Sequence, residues 1–156
     1  MLGEFSLKDL ISILPFPDIV MVIEVTAETL REALENAVSQ LPALGGSFAQ
    51  VSGFRFAYDP SMPPGQRITK LLFDSEEVFP GDQRKLLLAT QSFVAKGHEG
   101  YTMFKNAPVM VDEENGIMLS TLVPLPHTLY SVLCVCVCVC GCACVCVCGC
   151  VCACVC

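Results

Sequence analysis

The sequence predicts an α+β domain followed by a distinct low-complexity tail, and three observations support this prediction. A β-branched apolar run at residues 19–25 is followed directly by a segment with helical periodicity. Two further extended segments flank a stretch rich in turn-forming residues, which is typical of a hairpin. All 12 cysteines lie at or after Cys134, whereas every Asp, Glu, Lys and Arg precedes Leu133. Mixed strands and helices with hairpin connections define the α+β class.

The first predicted element is a short helix that begins after Ser6. A serine hydroxyl can accept a hydrogen bond from a free backbone N–H of the first helical turn. The helix ends at Pro15, because a proline ring does not fit a helix interior. Its apolar face follows from the helical spacing of Leu7, Leu10, Ile11 and Leu14.

A buried strand and an amphipathic helix form the predicted centre of the domain. Residues 19–25 are almost entirely apolar and mostly β-branched, the pattern of a strand that is buried on both faces. Thr26 can cap the helix that we predict for residues 27–40. The inward face of that helix consists of Leu30, Ala33, Leu34, Ala37, Val38 and Leu41.

Three more strands are predicted downstream. Residues 54–58 alternate aromatic with smaller side chains, and residues 67–73 return as a strand after a loop dense in Pro, Gly, Asp and Ser. We take Arg67 to be an exposed residue of the second of these strands. Residues 85–90 have the composition of another buried strand. A final helix is predicted to begin near Tyr101.

Net charge limits the classes of partner. The formal net charge is −7, and the basic residues are not clustered. We therefore expect no nucleic-acid binding and no attachment to an anionic membrane, because both require a basic face. The first residues lack the basic start of a signal peptide, and Lys8 and Asp9 interrupt the apolar run. The cellular compartment stays open.

Residues 134–156 alternate Cys with Val, Gly or Ala without a break. A repeat of the DNA dinucleotide TG, read in frame, encodes Cys alternating with Val. We therefore expect the domain to end at residue 133 and the tail to be disordered, or an artefact of read-through or of an incorrect gene model. Three functional interpretations stay open: a metal–thiolate tail, a disulfide-linked tail and a membrane span. The last is disfavoured because no basic residue flanks the tail.

The residue types argue against catalysis by this chain alone. A two-metal hydrolytic centre needs several His, Asp and Asn ligands. Only His98 and His127 occur, and the sequence contains no Asp-x-His or His-x-His pair. It also lacks a Gly-x-Ser-x-Gly motif and any cysteine outside the tail that could act as a nucleophile. We therefore assign no catalytic residue, metal ligand or cofactor to this chain.

Two aromatic residues are candidate binding residues. Phe16 lies between Pro15 and Pro17, which restrict its backbone, so its ring can form a platform for a nucleobase. Such stacking contributes about 1–3 kcal/mol per base. The alternative, a ring that only covers the core above the first helix, is the commoner arrangement. Phe93 follows the strand at residues 85–90 and precedes a loop, where binding residues are frequent.

The loop after Phe93 is bracketed by Gly97 and Gly100. Within it, the Glu99 carboxylate can accept hydrogen bonds from ribose hydroxyls or from a base edge. The alternative is a solvated carboxylate in a turn. We expect His98 to be a surface residue without a partner.

Five segments of the chain resemble, in order and spacing, the C-terminal domain of the 5'-nucleotidase family, which includes ecto-5'-nucleotidase and UDP-sugar hydrolase. Each segment alone is a weak signal, but the series is specific and covers residues 3–104. The segments are residues 6–16, 24–36, 50–53, 58–67 and 93–101. The last of them reads Phe-Val-Ala-Lys-Gly-His-Glu-Gly-Tyr.

The resemblance implies a layered α/β/β/α-type domain, with mixed strands, that clamps a nucleoside base between two phenylalanines. At the matching positions these are Phe16 and Phe93. The family usually has an Asp in a Gly-Gly-Asp-Gly-like loop, at the position that Glu99 occupies here. Glu99, Gly97 and Gly100 are therefore the further candidate substrate-binding residues.

The resemblance also implies parts that this sequence does not contain. In the family an N-terminal metallophosphoesterase domain holds two divalent metal ions, and an Asn-Gly-Gly-Gly-Ile-Arg segment would precede Gly3. The expectation is an N-terminally truncated substrate-binding domain at residues 1–133, taken from a hydrolase of nucleotide catabolism and inactive alone. Two alternatives stay open: a non-catalytic binding or interaction module tethered to a membrane by the apolar tail, and a product without stable function.

Overall fold

The computed structural model describes residues 16–43, 45–73 and 75–122, together with Ser6, Lys8 and Ser12. Lys8 and Ser12 are helical, and the Ser12 hydroxyl donates a hydrogen bond of 2.8 Å to the Lys8 carbonyl. Most of the predicted first helix, with Leu7, Leu10, Ile11, Leu14 and Pro15, lies outside the described residues. So does the tail at residues 134–156.

Strand β1, at Ile19–Thr26, is the central strand of the larger of two sheets. Strand β5, at Lys85–Gln91, pairs with one edge of β1 over seven residues. Strands β6, at Val109–Val111, and β7, at Ile117–Met118, also pair with β1. Each of these pairings is antiparallel. The strands predicted at residues 19–25 and 85–90 are confirmed, but the second is buried only from Leu88 onward, since Lys85 and Leu87 are exposed.

Helix α1, at Ala27–Val38, follows β1 without a loop. Thr26 caps it, since its hydroxyl accepts a hydrogen bond of 3.1 Å from the backbone N–H of Thr29. The predicted inward face is confirmed, because Leu30, Leu34 and Val38 are each at most 2% exposed. This helix packs against both sheets and fixes the direction in which the chain continues.

The smaller sheet contains β2 at Arg55–Tyr58, β3 at Ile68–Phe73 and β4 at Glu76–Glu77. Its order is β2-β3-β4, with antiparallel pairing, as a hairpin at residues 54–58 and 67–73 predicts. Arg31 ties α1 to this sheet by donating to the carbonyls of Ile68 at 3.0 Å and Val78 at 2.9 Å. Both sheets and α1 therefore contribute to one hydrophobic core, and the α+β class is confirmed.

The expectation of an exposed Arg67 is wrong. Arg67 is 7% exposed, and its guanidinium donates to the carbonyls of Val38, Ser39 and Met62. Two of these carbonyls belong to the end of α1, where backbone acceptors lack partners within the helix and a positive charge is favourable. Arg67 therefore caps α1 from the position directly before β3.

Three short helical segments follow β5 in the part of the chain up to residue 122. Helix α2 spans Ser92–Ala95, a single 3₁₀ turn spans Thr102–Phe104, and helix α3 spans Leu119–Leu122. The 3₁₀ turn stands where we predicted a helix near Tyr101. Pro108 limits a longer helix, because it disfavours the helical conformation at Ala107. Over the described ranges, none of the helices is long and apolar enough to cross a membrane.

Candidate ligand-binding site

Phe16 and Phe93 lie beyond the same end of the ladder that joins β1 to β5. The register pairs Val20 with Gln91 at that end, so that Phe16 precedes the ladder and Phe93 follows it. Phe16 is 67% exposed and Phe93 is 44% exposed. Two aromatic side chains are therefore accessible at the same end of the β1–β5 ladder. That their rings face each other stays a prediction.

Asp18 and Gln91 connect the two segments that carry these aromatics. The Asp18 carboxylate accepts a hydrogen bond of 3.3 Å from the Gln91 amide, and Gln91 is 7% exposed. The Asp18 carbonyl also accepts a hydrogen bond of 2.8 Å from the backbone N–H of Leu119. Burial raises the pKa of the Asp18 carboxyl. The sequence patterns above did not predict this pair, although Asp18 directly before one apolar run and Gln91 at the end of another are detectable polar positions.

Phe93 lies in α2, and the end of this helix has the hydrogen bonds of a Schellman motif. The N–H of Gly97 donates to the Val94 carbonyl at 2.9 Å, and the N–H of His98 donates to the Phe93 carbonyl at 3.3 Å. Gly97 has a φ of 84°, the left-handed conformation that this motif requires. The backbone thus turns back on itself directly after the helix that carries Phe93.

The imidazole of His98 stacks on the ring of Phe93. The ring centroids are 4.3 Å apart and the rings are 11° from parallel. The expectation that His98 has no partner is therefore wrong. The physical reason is the turn at Gly97, which reverses the chain and brings residue 98 back over residue 93.

The loop that carries Glu99 is held against α1. The Asn36 amide donates a hydrogen bond of 3.0 Å to the Glu99 carbonyl. Glu99 has a φ of 52°, and Gly100 has a φ of 82°. A Cβ at Gly100 would lie 2.3 Å from the Asn36 side-chain oxygen, so a larger residue would displace the Asn36 side chain, in addition to the strain of the positive φ. The Glu99 residue itself is exposed.

Tyr101 anchors the same loop in the core. It is fully buried, and its hydroxyl donates a hydrogen bond of 2.6 Å to the Ser47 carbonyl. Burial, and secondarily the nearby charge of Glu99, raises the pKa of Tyr101 well above its ordinary value. Glu99 is thereby placed two residues from a rigid attachment point.

A salt bridge links the end of α2 to the connection between β6 and β7. Glu113 lies in the connection between β6 and β7, and its carboxylate contacts the Lys96 ammonium at 2.7 Å. Hydrogen bonds from Lys96, and then from Ser92, lower the pKa of Glu113. The β6–β7 connection therefore contacts both ends of the helix that carries Phe93.

Among the residues with described positions, no group of three or more His, Cys, Asp or Glu side chains is arranged to hold a metal ion.

The chain is similar to proteins of one family. The family model for the 5'-nucleotidase C-terminal domain matches residues 2–106. A 5'-nucleotidase of Diplobatis ommata is 30% identical over 116 residues, which are 70% of this chain and 20% of that protein. A trifunctional nucleotide phosphoesterase of Bacillus subtilis is 29% identical over 108 residues, which are 67% of this chain and 7% of that protein. The chain thus spans a fifth or less of these two relatives.

Solved structures show the same fold. A 5'-nucleotidase precursor from Thermus thermophilus superposes with a TM-score of 0.63 at 27% identity, over 74% of this chain and 22% of that one. The NAD nucleotidase of Haemophilus influenzae superposes with a TM-score of 0.52 at 22% identity, over 64% of this chain and 19% of that one.

Proposed function

This chain belongs to the family of 5'-nucleotidase C-terminal domains, and from that premise we propose that it binds the base of a nucleoside or nucleotide between Phe16 and Phe93. The observation that carries the proposal is the exposure of both rings, 67% and 44%, beyond the same end of the β1–β5 ladder. The exposure of two aromatic rings at the same end of this ladder is more readily explained by a ligand than by packing in the core.

The other candidate residues support the same site. Glu99 lies on the loop that follows Phe93, where it can accept hydrogen bonds from ribose hydroxyls. Gly97 and Gly100 allow the two tight turns that hold this loop, because both have a positive φ. Their role in the site is therefore conformational.

In the related proteins, the region that matches this chain is one part of a longer polypeptide. The chain covers at most a fifth of the two relatives named above. We infer that a separate phosphoesterase domain with two divalent metal ions performs the hydrolysis in such a protein. The domain formed by the present chain then holds the base. The activity would then belong to nucleotide catabolism.

Binding by this chain alone is expected to be weak. Stacking contributes about 1–3 kcal/mol per base, and association itself has a large entropic cost. The dissociation constant for adenosine should therefore be about millimolar or weaker.

The test is a titration of the full-length chain with adenosine, under reducing conditions because of its 12 cysteines. The ring resonances of Phe16 and Phe93 should shift, and Phe16→Ala or Phe93→Ala should abolish the response without unfolding. Phe79→Ala is the matched control, because Phe79 is 66% exposed and precedes β5 at the opposite end of the ladder. An unchanged response in the Phe16 and Phe93 variants, or an equal loss in all three, would contradict the proposal.

A second candidate function, a non-catalytic interaction module, is favoured by exposed apolar side chains on β5, β6 and β7. They are Leu87, Val109, Met110, Ile117 and Met118, each at least 45% exposed. Concentration-dependent sedimentation, absent in a Leu87→Lys variant, would support this function, and purely monomeric behaviour would contradict self-association through β5.

A further inference from the structure

We propose that His98 is a positioning residue that fixes the ring of Phe93 as a platform for the base. The inference rests on the proposed function, since it concerns the same site. Its starting point is the stack between the two rings, with centroids 4.3 Å apart and planes 11° from parallel. This arrangement covers one face of Phe93 with a second flat ring.

The backbone favours the stack, because it brings residues 93 and 98 close together. In a Schellman motif the second residue after the helix cap commonly touches the third residue from the helix end. These positions are His98 and Phe93, and the hydrogen bond from the His98 N–H to the Phe93 carbonyl joins them. The turn at Gly97 therefore brings residue 98 next to residue 93, where the imidazole stacks on the Phe93 ring.

The elements around α2 keep this arrangement in place. The Glu113 carboxylate holds Lys96 at 2.7 Å, and Lys96 is the residue directly before the turn. On the far side of the turn, the N–H of Tyr101 donates to the His98 carbonyl at 3.0 Å. His98 is thus connected by its backbone to both α2 and the buried Tyr101.

The stack leaves a surface of Phe93 for a ligand. Phe93 remains 44% exposed with His98 in contact, so part of the residue stays accessible to a ligand. The inference requires that the base stacks on the ring face opposite the imidazole. A ring that is already held in place loses less freedom when it binds. His98 therefore strengthens binding by acting through Phe93, and it does not compete with the base.

The alternative is that His98 blocks the binding site, and this alternative is testable. If the imidazole occupied the face that the base needs, His98 would block the site, and its removal would strengthen binding. The two roles predict opposite signs for the same variant.

The experiment uses the full-length chain in two ring-free variants, His98→Ala and His98→Gln, and one ring-retaining variant, His98→Phe. Two ring-free variants are used so that a folding defect in one does not decide the outcome. Without ligand, ¹³C relaxation of the Phe93 ring should show increased motion in the ring-free variants and not in His98→Phe. With adenosine, the initial slope of the Phe93 shift should fall about three- to tenfold in the ring-free variants. His98→Phe should restore it.

Each other outcome overturns the inference, and the failures are distinguishable. Unchanged motion of the Phe93 ring in both ring-free variants removes the positioning role, whatever the chain binds. A steeper response to adenosine in those variants indicates a block and leaves the proposed function intact. Failure of His98→Phe to restore binding shows that stacking is not the cause. If the wild-type chain does not respond to adenosine while its Phe93 ring is ordered, the proposed function fails, and the inference fails with it.

Discussion

Tyr101 shows how one side chain links the core to the candidate site. Its hydroxyl is fully buried against the Ser47 carbonyl, and its backbone terminates the loop that carries Glu99. The hydroxyl must stay protonated in the folded chain, because an oxyanion would lose water and face the negative charge of Glu99. The protonation of this residue is therefore coupled to folding.

We predict a loss of stability at alkaline pH that depends on Tyr101. The pKa of Tyr101 is raised in the folded state, so its contribution is complete below about pH 10, where tyrosine ionises in the unfolded chain. As the pH rises beyond that value, ionisation of the unfolded chain lowers the free energy of unfolding. Urea denaturation at pH 8 and pH 11 should show this decrease, and Tyr101→Phe should reduce it. At pH 8 the variant should lose about 0.5–1.5 kcal/mol, because the hydrogen bond to Ser47 is absent. An equal alkaline decrease in both proteins would contradict the coupling.

Arg67 illustrates what the sequence does not reveal about single residues. An Arg beside a turn-rich loop is normally exposed, since Arg is rarely buried without partners. The partners here are the carbonyls of Val38 and Ser39, which lie 29 and 28 positions away along the chain. Only the tertiary structure brings them together, so no local pattern predicts the contact.

At the scale of elements, the long periodic segments were predictable and the short ones were not. Residues 27–40 carry a full helical repeat, and every predicted inward position up to Val38, where the helix ends, is buried. The last predicted position, Leu41, lies beyond the helix and is partly buried. Strands β6 and β7 have three and two residues, which is too short for a period-2 pattern. They form because β1 offers an edge for pairing, and that is a property of the assembled sheet.

Helix α1 should depend strongly on Leu34. This side chain is 1% exposed in the core shared by the two sheets, so Leu34→Ala leaves a cavity. We expect a decrease of about 2–5 kcal/mol in the free energy of unfolding, measured by chemical denaturation. Glu32→Ala on the exposed face of the same helix is the control, with an expected change of about 0.5 kcal/mol or less. Equal effects of the two substitutions would place Leu34 outside the core.

The end of α2 should depend on Gly97 in a specific way. Gly97 and Gly65 have nearly the same φ, 84° and 87°, but a Cβ at Gly97 would lie 2.6 Å from Lys105, whereas Gly65 has open space. Gly65→Ala therefore measures left-handed strain alone, about 1–2 kcal/mol. We expect Gly97→Ala to be more destabilising and to alter the Phe93 ring resonances, which Gly65→Ala should leave unchanged. Equal destabilisation, with the Phe93 resonances intact in both, would show that the turn is not coupled to the aromatic platform.

At the scale of the whole molecule, one core holds the two segments of the candidate site in register. The resemblance to a family supplied Phe16, Phe93, Glu99, Gly97 and Gly100 from short motifs. The connections between them were not predictable in the same way. The hydrogen bond of Asp18 with Gln91 requires the register of β1 and β5. The salt bridge of Glu113 with Lys96 requires that β6 and β7 pair with β1. Motifs locate candidate residues, whereas folding determines which of them act together.

We expect the full-length chain to bind a nucleotide without hydrolysing it. Within the described part of the chain, no cluster of side chains is arranged to hold a metal ion, and hydrolysis of a phosphate ester by a two-metal centre requires such ligands. We therefore expect the full-length chain to release no phosphate from AMP above buffer when Zn²⁺, Mn²⁺ or Mg²⁺ is added. Because the 12 cysteines can themselves bind metal, each ion must exceed 12 equivalents per chain. A full-length 5'-nucleotidase assayed in parallel verifies the metal supply. Chelator-sensitive release of phosphate that persists at constant specific activity through a second purification would show that this chain contains a catalytic centre.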